Sequence, residues 1–285
     1  LPILHQALTG TDFIMGYALN AGRLTGSLGD YTVGNYIALA LIPAFSLWFI
    51  LRRALSPAAS ALLWFATLWP AFFLLIGASS RSGALAVAVS FGLWVLLRGG
   101  RGRFKLAVGS LGILLAVLVL QGRAGLGAVE SDGRWSLWHL AWQVFCEHPW
   151  LGAGAGRYNE AFRALGLTPE KDVITISHPH NLYLDMLYAH GIVGFVLGMI
   201  FLLGFIRWGY KRIRPRLLAE LESKSPSNYW RMTAWFWIGF GGWLVNGIFG
   251  HDFYRIWWLG LAMSHLGVMI GAVVNGQDAA PEDLA

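Results

Sequence analysis

Long apolar runs, separated by short segments that carry most of the charge, limit what this chain can fold into. A helix that crosses a bilayer needs about 20 mostly apolar residues, within a range of roughly 17–25. Charged residues make up 13% of the chain, whereas soluble domains carry roughly 25%. The sequence therefore predicts an all-α, polytopic transmembrane protein. Seven runs are candidate spans: about Val33–Leu51, Ser60–Ala78, Ser82–Leu97, Leu106–Leu120, Leu182–Ile206, Met232–Phe249 and Ile256–Val274.

The basic residues between these runs predict the orientation of the chain. Cytoplasmic loops of membrane proteins carry an excess of Lys and Arg. The segments 52–53, 98–105 and 207–231 are rich in both, and all three fall on one side if the seven spans are correct. We therefore expect these segments in the cytoplasm, and we expect Arg81, segment 121–180 and segment 251–255 on the external face. The net charge of +6 then reflects membrane topology, and no nucleic-acid partner is expected.

Segment 121–180 is too long to be a simple connection, because most loops between helices have only a few residues. We expect it to be a functional external loop between an N-terminal transmembrane part, residues 1–120, and a C-terminal transmembrane part, residues 181–285. The chain begins at Leu1 without a signal-peptide pattern, so we expect further helices before it.

Within the external loop, Trp135, Trp138 and Trp142 recur at the spacing of one helix face. This stripe predicts an interfacial helix, and exposed indoles could in addition stack on a glycan. The glycine-rich stretch Gly152–Gly156 lacks the preceding strand of a dinucleotide fold, so we interpret it as a tight turn. Arg157 after it is either an anion contact or a solvated side chain.

The stretch His178–Gly194 places polar residues directly before an apolar run. Pro is favoured at the first position of a helix, which predicts His178 as the cap and His180 in the first turn. Free backbone N–H groups there would attract an anion and favour a neutral imidazole that accepts a proton. Gly191 and Gly194 would allow a neighbouring helix to approach closely. A simple hydrogen bond to a lipid headgroup is the alternative role for the histidine.

A metal site is not expected from this sequence. The chain has one cysteine, Cys146, and its histidines do not match a zinc-ligand spacing.

His180-Asn181 are followed, after nine residues, by Gly191-Ile192-Val193-Gly194. This pattern resembles the H-N-x9-G-x-x-G signature of the O-antigen ligase and polymerase superfamily. Where the ligases often continue with two threonines, this chain has Phe195-Val196, so ligase, polymerase and protein O-oligosaccharyltransferase stay open. Four further segments also resemble this superfamily: Gly22–Leu41, Ser79–Gly83, Gly133–Tyr158 and His251–Trp258.

The resemblance implies a glycosyltransferase of the GT-C type in the bacterial inner membrane, with its active site facing the periplasm. Its donor would be a glycan on undecaprenyl pyrophosphate, and its acceptor would be lipid A-core or another glycan. The enzyme would also contact membrane lipids, and it would need no cofactor and no metal. His180 would be the base, Arg81 and Arg134 would bind the pyrophosphate, and transfer would invert the anomeric carbon. The candidates for substrate binding are Arg23, Arg157, Asn181, Asp185, His251 and Asp252.

A membrane transporter is the alternative from a different class, because polar residues within spans can mark a solute path. The candidates for such a path are Asn35, Asp185, His190, Asn246 and His265. The sequence shows no inverted repeat or paired broken helices, which argues against this alternative.

Overall fold

Helices make up almost all of the regular structure that the computed structural model describes. It describes residues 2–19, 24, 36, 39–40, 44, 51, 54–78, 80–98, 102, 134–164, 178–223, 228–248 and 256–278. Within these residues a lone β-bridge joins Thr11 and Ala18. The helices are α1 (Pro2–Thr9), α2 (Pro57–Gly77), α3 (Arg81–Arg98), α4 (Arg134–Glu147), α5 (Tyr158–Ala164), α6 (Leu182–Glu222), α7 (Tyr229–Asn246) and α8 (Ile256–Asp278).

Two helices in the described ranges are long and apolar enough to cross a membrane. They are α6 and the part of α8 from Leu259 to Gly276. Pro57–Ala66 within α2 and Ser82–Arg98 within α3 are shorter apolar helical stretches. This architecture is consistent with the predicted helical membrane protein. The number of seven spans stays a prediction, because Leu106–Leu120 and most of Val33–Leu51 lie outside the described residues.

Helix α6 differs from the predicted span, which ended at Ile206. It continues to Glu222 through the basic cluster and Pro215. The continuation is rich in Leu, Arg, Lys and Glu, all of which favour helix. The helix is also interrupted at Gly191, whose φ of 64° and ψ of −169° are not helical. A short helix that ends at His190 therefore precedes the long apolar one.

The chain forms two compact units, and its first unit holds residues 1–124, 209–245 and 265–285. In this unit Trp235 of α7 stacks on Trp94 of α3 with ring centroids 4.6 Å apart. The hydroxyl of Tyr229 donates a hydrogen bond to the carbonyl oxygen of Ala272 at 2.6 Å, which links α7 to α8. These contacts hold α3, the helix that begins at Arg81, in a packed helical unit.

The second unit holds residues 125–208 and 246–264, and it contains α4, α5 and the start of α6. Its core is formed by buried Leu137, Leu140 and Val144 of α4, together with Tyr158 and Tyr188. The rings of Tyr158 and Tyr188 meet edge to face at 5.3 Å. The helices of the predicted external loop thus share one core with the start of α6. The predicted three-part division at residues 120 and 180 stays a prediction.

Candidate functional site

The residues His178–Asn181, which we call the histidine turn, end in the cap of α6. The side-chain oxygen Oδ1 of Asn181 accepts the backbone N–H groups of Tyr183 at 2.9 Å and Leu184 at 3.0 Å. The N–H of Leu182 donates to the carbonyl oxygen of Gly247 at 2.7 Å. The first three N–H groups of the helix are therefore already bound by the protein.

Two predictions for this helix start were consequently wrong. Asn181, not His178, is the cap, and Pro179 and His180 precede the helix instead of forming its first turn. Asn is among the best N-cap residues, because its short side chain reaches two N–H groups of the first turn. The anion site expected from free N–H groups is also wrong for these residues, since Asn181 and Gly247 occupy them.

His180 adopts a backbone conformation that a residue with a side chain rarely takes. Its φ is 51°, in the left-handed region, and Asn228 is the other described non-glycine residue with a positive φ. Such strain persists where the surroundings impose it, and it is frequent at functional sites. The N–H of His180 donates to Nδ1 of His178 at 3.2 Å, and the two rings lie 4.1 Å apart. His178 is buried and His180 is half-buried, so the turn holds His180 in place while leaving part of it accessible.

Helix α4 anchors the histidine turn through Trp138. The indole N–H of Trp138 donates to the carbonyl oxygen of Pro179 at 3.0 Å. Arg134, the first residue of α4, lies one helical turn before Trp138 on the same face and is half-buried. Arg134, the predicted pyrophosphate ligand, thus lies on the same face of α4 as Trp138. That face contacts the histidine turn, which carries the predicted base His180.

The glycine-rich stretch forms a turn that binds the interruption of α6, and we call Pro149–Gly156 the glycine turn. The N–H groups of Ala153 and Gly154 donate to the carbonyl oxygens of Tyr188 at 2.8 Å and Ala189 at 3.0 Å. In return, the N–H groups of Ile192 and Val193 donate to the carbonyl oxygens of Pro149 at 2.8 Å and Trp150 at 3.3 Å. The polar backbone groups that a broken helix exposes are therefore paired across this contact.

Glycine is required at both sides of this contact. Gly191 has a φ of 64°, and a Cβ there would collide with the carbonyl group of Trp150. Gly152 has a φ of 72°, and a Cβ there would collide with the peptide between Ala189 and His190. Gly191, the first glycine of the H-N-x9-G-x-x-G signature, thus lets the backbone of the glycine turn pack directly against α6. The predicted approach of a neighbouring helix was wrong for Gly191.

Asp185 and Tyr158 are two further buried polar residues of this unit. The side chain of Asp185 is fully buried, one helical turn after Asn181. Burial, and then the negative charge of Asp185, raise the pKa of Tyr158 well above its ordinary value. Its hydroxyl therefore stays protonated and donates to the carbonyl oxygen of Leu137 at 2.6 Å. We did not predict Tyr158, although its place two residues after the glycine turn could have indicated a buried anchor.

The remaining predicted site residues belong to other elements or lie outside the described residues. Arg157 is exposed and pairs with Glu160, with Nε and Oε2 3.3 Å apart. Arg81 begins α3 in the first unit, after Ser80, whose Oγ accepts the N–H of Gly83 at 3.1 Å. Arg23, His251 and Asp252 lie outside the described residues. Among the residues that were described, no three His, Cys, Asp or Glu side chains are grouped as metal ligands would be.

Comparisons with known proteins agree with the signature. Residues 66–199, which include α3, α4 and both turns, match the family model described as O-antigen ligase. A stretch of 152 residues is 30% identical to an O-antigen ligase of Pseudomonas aeruginosa, covering 52% of this chain and 35% of that protein. The chain thus spans about a third of the length of this relative. Together these matches confirm the resemblance drawn from the motifs: the region that contains α3, α4 and both turns is similar to the O-antigen ligase family.

Proposed function

We propose that this chain carries the catalytic part of a membrane glycosyltransferase that acts as an O-antigen ligase. It transfers a glycan from undecaprenyl pyrophosphate to lipid A-core at the periplasmic face of the inner membrane. The observation that carries the proposal is the histidine turn, in which a strained and half-buried His180 precedes the cap of α6 inside the family-matched region. Such a residue is held ready for chemistry before any substrate binds.

The reaction needs one base and stabilisation of a leaving pyrophosphate. Nε2 or Nδ1 of His180 takes the proton of an acceptor hydroxyl, because histidine accepts protons near neutral pH. The acceptor oxygen then attacks the anomeric carbon, and the bond from that carbon to the pyrophosphate oxygen breaks. The electron pair leaves with undecaprenyl pyrophosphate, and a single displacement inverts the configuration.

The guanidinium groups of Arg81 and Arg134 are the proposed ligands of the pyrophosphate. A planar guanidinium donates two parallel hydrogen bonds to phosphate oxygens, which stabilises the charge that grows on the leaving group. Arg134 is supported by its place on the face of α4 that bears Trp138. Arg81 is supported by its match to the Ser-Arg motif and its position at the start of α3. The proposal routes no step through a metal ion.

The surroundings of His180 favour a positioning role for its neighbours. Nδ1 of His178 accepts the N–H of His180, so the two residues are linked through the backbone of one and the ring of the other. Asn181 and Asp185 were predicted to bind substrate, and both are buried, Asn181 as the cap of α6. We therefore propose that these two residues act by holding the helix that follows His180.

The acceptor separates this proposal from its alternatives. The similarity to a protein named O-antigen ligase favours lipid A-core as the acceptor. Phe195-Val196 in place of two threonines keeps an O-antigen polymerase and a protein O-oligosaccharyltransferase as alternatives with other acceptors. In a deletion strain, loss of a ligase leaves free lipid-linked polymer, whereas loss of a polymerase leaves single lipid-linked repeats.

The proposal is tested by transfer with the purified full-length protein in liposomes. The donor is the lipid-linked glycan, the acceptors are lipid A-core, a lipid-linked repeat and a protein acceptor, and EDTA is present in half of the samples. We expect glycan on lipid A-core, with the same rate in EDTA. Glycan uptake into the liposomes without transfer to any acceptor would contradict the proposal and indicate a transporter.

A further inference from the structure

The outward face of α4 carries two exposed indoles in a polar setting. Trp135 and Trp142 are 55% and 49% exposed, and they lie seven residues apart on one face of the helix. Their exposed neighbours on the helix are polar or small: Ser136, His139, Cys146 and Glu147. The aliphatic side chains of α4 are instead in the core of the second unit: Leu137, Leu140, Ala141 and Val144.

Trp135 is connected to the histidine turn by two contacts. Its ring meets the ring of Trp138 at 5.1 Å and 68°, an edge-to-face contact. Trp138 in turn donates its N–H to the carbonyl oxygen of Pro179, the residue before His180. The exposed indole is therefore fixed close to the turn that carries the proposed base, on a rigid helix of 14 residues.

The chemistry of this face fits a sugar better than a lipid chain. A pyranose ring has an apolar face of C–H groups that packs on an indole, and a rim of hydroxyls that needs hydrogen-bonding partners. An exposed Trp flanked by Ser136 and His139 offers both. A helix that lies in the bilayer interface presents Leu and Phe together with Trp, but α4 turns its aliphatic residues inward, and its Phe145, which contacts Trp142, is half-buried.

We propose that Trp135 is a stacking platform for a glycan ring of the substrate beside His180. Trp142, about 10.5 Å further along the helix axis, continues the same track for the next part of the glycan chain. The ligand class is a neutral or weakly charged polysaccharide, since the exposed face of α4 carries no Lys or Arg after its first residue. This inference rests on the proposed function, because it names where that enzyme holds its glycan.

Two substitutions at one position separate a sugar platform from a lipid contact. Trp135→Tyr keeps a flat aromatic face, whereas Trp135→Leu keeps apolar bulk and removes that face. A sugar platform tolerates Tyr and fails with Leu, while a lipid contact tolerates Leu. Trp150→Ala is the matched control, because Trp150 is a 71% exposed indole on the glycine turn, outside α4.

The test measures binding of water-soluble O-polysaccharide, released from the host's lipopolysaccharide by mild acid, to the full-length protein in nanodiscs. Saturation-transfer difference NMR gives the affinity, and transfer assays give kcat and KM. We expect Trp135→Leu to weaken binding and raise KM for the glycan by about tenfold, with kcat at saturation little changed. Trp135→Tyr and Trp150→Ala are expected to remain within about twofold of the unmodified protein.

The outcomes of this test also separate the inference from the proposed function. If Trp135→Leu binds polysaccharide like the unmodified protein and still transfers glycan, the stacking role of Trp135 is wrong. The proposed glycosyltransferase function is then unaffected. Loss of nanodisc insertion with Trp135→Tyr but not with Trp135→Leu would assign the face to lipid and overturn the inference. If the unmodified protein binds polysaccharide but transfers none to any acceptor, the proposed reaction is wrong. The proposed binding of glycan by Trp135 is then unaffected.

Discussion

Trp138 and Pro179 are 41 residues apart in the chain, and their hydrogen bond of 3.0 Å joins α4 to the turn that carries His180. The acceptor is the carbonyl group directly before His180, so the bond restricts the peptide that sets the strained φ of that residue. The external-loop helix therefore helps to shape the histidine turn, and this coupling leads to the first prediction.

Trp138→Phe removes the hydrogen bond and retains an aromatic ring. The carbonyl oxygen of Pro179 then loses a partner, and we expect the free energy of unfolding to fall by about 1–3 kcal/mol. We expect kcat to fall by about tenfold because His180 is less well positioned, with a smaller change in KM. Steady-state transfer kinetics together with thermal unfolding in detergent measure both effects. Unchanged kcat with reduced stability would show that the bond is purely structural.

Gly191→Ala tests the contact between the glycine turn and the interruption of α6. A side chain at a φ of 64° and a ψ of −169°, a region essentially restricted to glycine, costs about 1–3 kcal/mol, and the collision with the Trp150 carbonyl adds to it. We expect a clear loss of thermal stability and of activity. Gly204→Ala is the matched control in the same helix, because a Cβ there meets nothing within 4 Å. Since alanine favours helix over glycine, that control should be neutral or slightly stabilising.

Asn181→Ala and Asn181→Asp together test the cap of α6. Alanine loses both hydrogen bonds to the first turn and should destabilise the protein by about 0.5–2 kcal/mol. Aspartate keeps the accepting oxygen, so its unfolding temperature should stay near that of the unmodified protein. If aspartate retains stability but abolishes transfer, the amide nitrogen has a role in substrate binding that the cap does not explain.

Tyr158→Phe tests the buried hydroxyl through the pH dependence of stability. Below pH 10 the hydroxyl is protonated in both the folded and the unfolded chain, and its bond to Leu137 stabilises the folded state by about 0.5–1.5 kcal/mol. The pKa of Tyr158 is raised in the folded state, so this stability is lost only as the pH rises above the ordinary value of 10.0. The difference between Tyr158→Phe and the unmodified protein should therefore be constant from pH 6 to 9 and shrink above pH 10. Chemical denaturation at several pH values measures it, and a difference that shrinks below pH 9 would contradict the assignment.

Local patterns in the sequence predicted the helices well where apolar residues and capping residues agree. The predicted span Ser82–Leu97 corresponds to α3, Arg81–Arg98, because Ser80 begins the helix and Arg98 ends the apolar run. Residues around the histidine turn were recognised as chemically unusual from their types alone. Their identity as a candidate site came from the H-N-x9-G-x-x-G signature.

The parts that could not be predicted depend on contacts between distant residues. The start of α6 was misplaced because Pro179 suggested a first helical residue, whereas Gly247 and Asn181 bind the N–H groups that follow. The interruption at Gly191 is stabilised by backbone groups of Pro149 and Trp150, which no pattern within α6 indicates. The end of the helix was missed because a basic run was interpreted as a loop, although its residues also favour helix.

The most direct test of the account is the transfer rate of His180→Ala with lipid-linked glycan and lipid A-core, alongside its binding of the donor. The account predicts that transfer falls by about 10²–10⁴-fold, because a positioned base is lost, while donor binding and membrane insertion are retained. Transfer by His180→Ala within a few-fold of the unmodified protein, at equal donor binding, would contradict the account.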